Sequence, residues 1–270
     1  MPEENRLAAL GQLMAADVDP APHLADVAAS LDHPEASLRQ LAAMVLGRIG
    51  APAVRPLCRC LTASDDGLRA VASFSLARIG PASVPALRLM LQFSDPRTVA
   101  SAVAALSQIG PAAAESLADL EALAPHATLA VQMACAAAVA RISGDANRGL
   151  PLLLRALDHP DPSVRRQSLE RITELGRAAH PAIPRILACA ADPAPEVRAA
   201  AALTLGRIRA PASEAVPPMV RLLDDASPEV RMNAMIVLAS YGAEATAALP
   251  ALRRSTGAAA SAAIERIAPR

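Results

Sequence analysis

The sequence contains no tryptophan and no lysine, and only one tyrosine and two phenylalanines among its 270 residues. Globular cores usually take their bulk from aromatic rings. A chain without them must fill its interior with aliphatic and small side chains in thin layers, as closely packed helices do. The missing lysine leaves all 26 basic residues as arginine, against 26 acidic ones. The balance lacks the basic excess of a general nucleic-acid binder. Lysine-free, alanine-rich usage is what a GC-rich coding sequence produces and carries little chemistry. Four cysteines are too few for a disulfide framework, so a reduced, cytoplasmic protein is expected. The stretch Met1-Pro2-Glu3-Glu4-Asn5-Arg6 is polar, without an apolar signal region. No run of about 18 apolar residues escapes charge and proline breaks, so no membrane span is expected.

What is present is helix-forming and periodic. Hydrophobic residues make up 53% of the chain, much of it alanine, and alanine and leucine are among the best helix formers. Arg48-Ile49-Gly50 returns as Arg78-Ile79-Gly80 and Gln108-Ile109-Gly110. Weaker echoes are Arg141-Ile142-Ser143, Glu174-Leu175-Gly176, Arg207-Ile208-Arg209, Ser240-Tyr241-Gly242 and Arg266-Ile267-Ala268. Successive spacings are 30, 30, 33, 33, 33, 33 and 26. A second anchor precedes most endings: Leu38-Arg39, Leu68-Arg69, Val164-Arg165, Val197-Arg198 and Val230-Arg231, with degenerate forms at Thr98-Val99, Val131-Gln132 and Thr256-Gly257.

Take the Arg of that anchor as position 0. Position +3 is then small (Ala42, Ala72, Ala102, Cys135, Ser168, Ala201, Ala234, Ala260) and +7 aliphatic (Leu46, Leu76, Leu106, Val139, Ile172, Leu205, Leu238, Ile264). Offsets of −1, +3, +7 and +10 trace one face of an α-helix. Asp and Pro cluster before each such helix, as in Asp32-His33-Pro34 and Asp158-His159-Pro160-Asp161-Pro162. Asp suits the cap and Pro the first turn, and Gly at the far end permits a left-handed closing residue. A companion helix follows at 54–61, 84–91, 150–157, 183–190, 216–223 and 249–253, often with an early proline such as Pro85, Pro184 or Pro217.

A proline-bearing first helix, an Asp turn and a Val-Arg second helix, in that order, resemble the HEAT-repeat family, in the short variety also found in phycobilisome lyases. The resemblance runs over residues 20 to 268. It implies an all-α fold, an α-solenoid with a right-handed superhelix, of about eight stacked two-helix repeats. The pairs fall at about 20–50, 51–80, 81–110, 111–143, 144–176, 177–209, 210–242 and 243–268, with a capping helix in 1–19. The copy at 111–143 is the most degenerate and is where the stack is expected to bend or break. In such repeats neither helix pair buries its apolar face alone, so neighbours must stack.

In HEAT proteins the second helices line the concave side. With the core face at −1, +3, +7 and +10, the opposite face falls near +1, +5 and +9. It carries an apolar strip, Met44, Phe74, Met133, Leu203, Met232 and Ile236, beside an arginine stripe, Arg48, Arg78, Arg141 and Arg207. Two readings stay open. Either this strip binds a partner segment with apolar anchors and acidic residues, or curvature hides it between neighbouring helices. The Arg at position 0 (Arg39, Arg69, Arg165, Arg198, Arg231) reads as structural, because the resemblance implies a ladder from this Arg to turn Asp residues.

No catalytic constellation stands out. None of His23, His33, His126, His159 and His180 has a neighbouring Glu, unlike the iron-binding His-Glu pairs of HEAT-repeat deoxyhypusine hydroxylases. His33 and His159 occupy equivalent turns. Cys58 and Cys60 are two apart on a helix, point to different sides and lack zinc-pair spacing. Cys135 fills a small core position, and no Gly-rich phosphate loop occurs. HEAT-like DNA glycosylases use aromatics and a basic groove, which this chain lacks, as it lacks the aromatic-rich helix starts of bilin lyases. The expectation is a non-enzymatic scaffold or adaptor without cofactor or metal that binds a protein. An accessory subunit assisting cofactor loading on a partner enzyme, and a nucleic-acid-binding solenoid, are the alternatives.

Overall fold

The computed structural model describes residues 6–15, 17–255 and 257–268. Met1–Asn5, Ala16 within the proposed cap, and Thr256 of the last anchor lie outside them. All regular structure among the described residues is helical. The chain falls into two compact units, Met1–Gly144 and Asp145–Arg270. The division comes directly after the degenerate copy at 111–143.

The first unit contains α1 (Arg6–Leu13), α2 (Leu24–Ala29), α3 (Ala36–Ile49), α4 (Val54–Cys60), α5 (Asp66–Ile79), α6 (Val84–Met90), α7 (Pro96–Ile109), α8 (Leu117–Leu123) and α9 (Leu129–Ser143). The second contains α10 (Leu150–Ala156), α11 (Pro162–Glu174), α12 (Ile183–Cys189), α13 (Pro195–Arg207), α14 (Ala212–Leu222), α15 (Pro228–Tyr241), α16 (Leu249–Arg254) and α17 (Ala258–Ile267). In each unit the longer second helices lie side by side: α3, α5, α7 and α9 in one, α11, α13, α15 and α17 in the other. Each shorter first helix packs on the second helix of its own pair. The lone α1 packs on α3.

The core is the column expected from periodicity. Every +3 residue from Ala42 to Ala260 is buried, and every +7 residue from Leu46 to Leu238, with Ile264 half-buried. A small +3 residue lets the paired helices approach to the 8–10 Å typical of helix packing. Each buried +7 leucine contributes roughly 1.5–3 kcal/mol of apolar burial. The polar member of the +3 column, Ser168, donates its hydroxyl to the Leu153 carbonyl at 2.6 Å, so its burial leaves no orphan.

Asp starts the second helices in two ways. Asp65 accepts from the Leu68 N–H at 3.0 Å and Asp161 from the Ser163 N–H at 2.8 Å, both as N-caps. Asp192 and Asp225 stand further back and accept from Ala194 and Ser227 N–H in a local turn. At the other end, Gly80 has φ 79° and ψ −139°, a region that only glycine enters without strain.

The longer register comes from a longer connection between a second helix and the next first helix, which is built in more than one way. The turn between a second helix and the next first helix is four residues of 3₁₀ helix at Gly80–Ser83, but seven at Gly110–Ser116, Gly176–Ala182 and Gly242–Ala248. The three added residues do not extend one regular turn: Ala113 and Ala245 leave helical φ/ψ and kink two of these stretches. The other two 33-residue copies differ: the connection before α10 holds only Ala146–Arg148 in 3₁₀ helix, and the one before α14 has none. Arg209 takes φ 57° where most other copies have glycine, and α14 begins at Ala212, earlier than the 216 start expected. Pro217 and Pro218 therefore lie inside the helix instead of in its first turn, where each removes a backbone donor.

Two stretches, Asp66–Met90 and Pro228–Arg254, have the length and hydropathy of a bilayer span. Each is two helices joined at a glycine of positive φ, Gly80 and Gly242.

Candidate functional site

The position-0 arginines form ladders along one edge of the second helices. Arg39 donates to the His33 and Pro34 carbonyls at 2.9 and 2.7 Å and reaches Asp65. Arg165 donates to the His159 and Pro160 carbonyls and forks onto Asp192 at 2.7 and 2.8 Å. Arg198 repeats this with Asp192, Pro193 and Asp225. Arg231 keeps the carbonyl contacts, to Asp225 and Ala226. Each rung ties a turn to the turn of the following repeat. The Arg198 guanidinium, hydrogen-bonded to Asp225, holds that carboxyl below the usual aspartate range. Arg69 departs from the ladder: it pairs with Asp66 on its own helix and donates to the Ala63 carbonyl, while Asp95 accepts from Thr98 instead. The two Asp-His-Pro turns are alike, His33 Nδ1 accepting from the Glu35 N–H and His159 Nδ1 from the Asp161 N–H, each at 3.1 Å.

The opposite face of the second helices is where the apolar strip was expected, and the structure divides it. Met44 on α3 and Phe74 on α5 are 39% and 51% exposed, at the same position of neighbouring helices. Met232 and Ile236, one turn apart on α15, are 46% and 53% exposed, beside a half-buried Leu203 on α13. Met133 corrects the expectation. It is 1% exposed, because it opens an unbroken apolar run, Met133 to Ala140, that is buried on every face of α9.

The arginine stripe divides as well. Arg78 and Arg207 are exposed, with no ion-pair partner among the described residues. Arg48 is a correction: its Nη1 donates to the Leu13 and Ala15 carbonyls and its Nη2 to the Val18 carbonyl at 3.2 Å, so it closes the N-terminal segment onto α3. Arg141 is half-buried and already partnered. Between α5 and α7 lies an open groove of about 420 Å³. Ala70, Ala100 and Ala104 floor it, with Arg97 at one end and Gln108 at the other.

Periodicity did not single out two glycines that shape this face. A Cβ on Gly47 would lie 2.8 Å from Ser75 Cβ, and one on Gly206 would lie 2.9 Å from Val237 Cγ2. Backbone therefore meets side chain at these crossings, α3 on α5 and α13 on α15. The signal is readable in hindsight: at +8, other copies carry Ala77, Ser107, Ala140, Thr173, Ala239 or Glu265. Also unforeseen are exposed Leu89 and Phe93 on the first-helix side.

The thiols and three of the five histidines are engaged or shielded, while His23 and His126 are exposed. All four thiols are buried and unpaired. Desolvation pushes Cys58, Cys60 and Cys189 up to about 11 and Cys135 to about 12. His180 Nε2 lies 2.9 Å from the Ile208 carbonyl. Among the described residues no three His, Cys, Asp or Glu side chains converge as a metal site.

No curated protein sequence matches this one significantly. Among solved structures, the Escherichia coli protein YibA is similar at 17% identity, with 99% of this chain and 97% of that one covered and a TM-score of 0.52. At that identity the likeness concerns the fold alone. Human deoxyhypusine hydroxylase in complex with glycerol aligns at 18% identity over 96% and 99% of the two chains with a TM-score of 0.45, and an engineered protein at 18% over 98% and 95% with a TM-score of 0.41. The family profile of HEAT repeats matches residues 54–140, 150–213 and 183–268. With those matches spanning well over half of a chain built from stacked helix pairs, the protein belongs to the HEAT-repeat family.

Proposed function

We propose that this protein is a non-enzymatic scaffold or adaptor that binds a partner protein along the outward face of its second helices, the concave side in this family. The observation that carries the reading is the neighbouring pair Met44 and Phe74, exposed at equivalent positions of α3 and α5, with Arg78 one turn beyond Phe74 and without an ion pair. Large exposed apolar side chains grouped on one face mark binding sites more often than chance. Methionine adapts to irregular partners, and arginine forks onto carboxylates. The partner segment therefore carries an apolar anchor and acidic residues. A non-enzymatic role is supported by thiols shielded in the core and by His33, His159 and His180 committed to backbone groups. Four unpaired cysteines support a reducing, cytoplasmic setting.

A second reading, an accessory subunit that helps mature a partner enzyme, rests on the likeness of the repeats to the short phycobilisome-lyase variety. Capture from the native organism with the purified chain, read by mass spectrometry, separates the two. The scaffold reading expects one defined protein captured by the wild type and lost with the double substitution Met44→Asp, Phe74→Asp, at unchanged helicity and melting temperature. A co-purifying chromophore or metal would favour the maturation role. Salt-sensitive binding to DNA would make the chain a nucleic-acid binder and sink the scaffold reading. Unfolding of the double variant would return the strip to the core.

A further inference from the structure

The exposed apolar residues of the second-helix face are not spread evenly over the repeats. Apart from Leu129 at the start of α9, they collect on two helix pairs: Met44 and Phe74 on α3–α5 in the first unit, and Met232 and Ile236 on α15, beside half-buried Leu203 of α13, in the second. The same two pairs share a construction found at no other pair of neighbouring second helices among the described residues. At one end an Arg–Asp rung joins the helices, Arg39 to Asp65 and Arg198 to Asp225. At the other end a glycine at +8 lets the helices close up, Gly47 against Ser75 and Gly206 against Val237. The pair α5–α7 has neither device, since Arg69 turns to Asp66 and position +8 is Ala77. The pair α11–α13 has the rung, Arg165 to Asp192, but carries Thr173 where the glycine would be.

On each doubly fastened pair the +5 residues are large and apolar: Met44 and Phe74 on one, Leu203 and Ile236 on the other. Each also offers one exposed arginine at +9 without an ion pair, Arg78 on α5 a turn beyond Phe74 and Arg207 on α13 a turn beyond Leu203. Fastening a helix pair at both ends holds its outward side chains at fixed spacing. Pre-ordering of this kind lowers the entropy cost of binding.

We infer that the chain carries two docking platforms of like construction, one in each unit, and that both take the same kind of segment: a short peptide stretch with a bulky apolar anchor followed or preceded by a carboxylate. The inference rests on the scaffold reading above and adds the number of sites to it. The single unpaired cation beside each apolar pair sets the acidic character of the occupant. A partner that uses both platforms presents this segment twice, and two linked contacts hold far more tightly than either alone when the linkage spans them.

The test uses the full chain and a library of random twelve-residue peptides displayed on phage. The wild type is expected to enrich acidic peptides containing Leu, Ile, Phe or Met. The best of these, synthesised and titrated by calorimetry, should bind with two molecules per chain. Phe74→Asp and Ile236→Asp should each leave one molecule per chain at unchanged affinity, and the double variant none. Because Phe74 and Ile236 are more than half exposed, circular dichroism should be unaltered. Should either variant unfold, Arg78→Glu and Arg207→Glu take its place, and each should convert one of the two sites to a preference for basic peptides.

A stoichiometry of one, lost with only one variant, would overturn the two-platform inference and leave the scaffold reading intact. Two sites untouched by either variant would place binding elsewhere and overturn it as well. No enrichment at all would overturn both. A wild-type dimer in sedimentation that Phe74→Asp or Ile236→Asp dissolves would assign the faces to a second copy of the chain, and this too would overturn the inference.

Discussion

Arg198 forks onto Asp225, with Nε to Oδ2 at 2.7 Å and Nη2 to Oδ1 at 2.8 Å, while its Nη1 donates to the carbonyls of Asp192 and Pro193. One side chain thus holds its own helix start and the next repeat's turn at once. The two partners are 17% and 9% exposed, so water screens this rung less than it screens a surface pair. Arg185 and Asp158, on the first-helix side, are 46% and 67% exposed.

That contrast predicts unequal costs. Arg198→Lys keeps the charge but loses the fork and at least one carbonyl contact. It should destabilise the second unit by about 1.5–3 kcal/mol, whereas Arg185→Lys should cost no more than about 1 kcal/mol. Urea denaturation of both variants checks this, and equal losses would mean the ladder contributes nothing beyond surface pairing.

Acid should weaken the ladder. Hydrogen bonds from Arg198 and Arg39 depress the carboxyls of Asp225 and Asp65 below their ordinary value. In the unfolded chain these groups titrate near ~3.9. Their stabilisation is therefore present above that value and is lost as pH falls through the lower folded value. Melting temperature should decline below about pH 4, and the decline should be shallower in Asp225→Asn, which has already lost that contribution.

The close helix crossing makes Gly206 intolerant of even one methyl. Gly206→Ala should cost about 1–3 kcal/mol through overpacking against Val237, although alanine is the better helix former. Gly11 in α1 has open space where a Cβ would stand, and Gly11→Ala should instead gain up to about 1 kcal/mol. Thermal melts of the two variants should move in opposite directions.

Met133 and Met232 share one position of the repeat and should respond differently. An aspartate replacing the buried Met133 should cost more than about 3 kcal/mol from lost burial and a stranded charge. At the exposed Met232 the same change should stay within about 0.5 kcal/mol. Similar losses at both sites would mean that α15 is covered in solution.

Much of this architecture was readable from spacing. Ala42, Leu46 and their repeats had to be core, because helical periodicity sets a residue's face locally and eight copies repeat the pattern. The turn residues His33 and His159 and the rungs from Arg39, Arg165 and Arg198 followed from the same register and the family resemblance. The 30- and 33-residue periods were visible, but the varied build of the longer connections, kinked at Ala113 and replaced by an early start of α14 at Ala212, was not. Glycine marks where most of the second helices end, but not the path the chain takes to the next helix.

By itself, then, the sequence determined the helices, their pairing and the core column, since these depend on contacts within one repeat and its nearest copy. Only the tertiary structure decided which outward residues are available. Met133 is covered and Met232 is not, Arg48 is taken by the carbonyls of Leu13, Ala15 and Val18 while Arg78 stands open, and Arg69 leaves the ladder for Asp66. Exposure and pairing depend on what neighbouring segments bring to a side chain, and no position within a repeat carries that information.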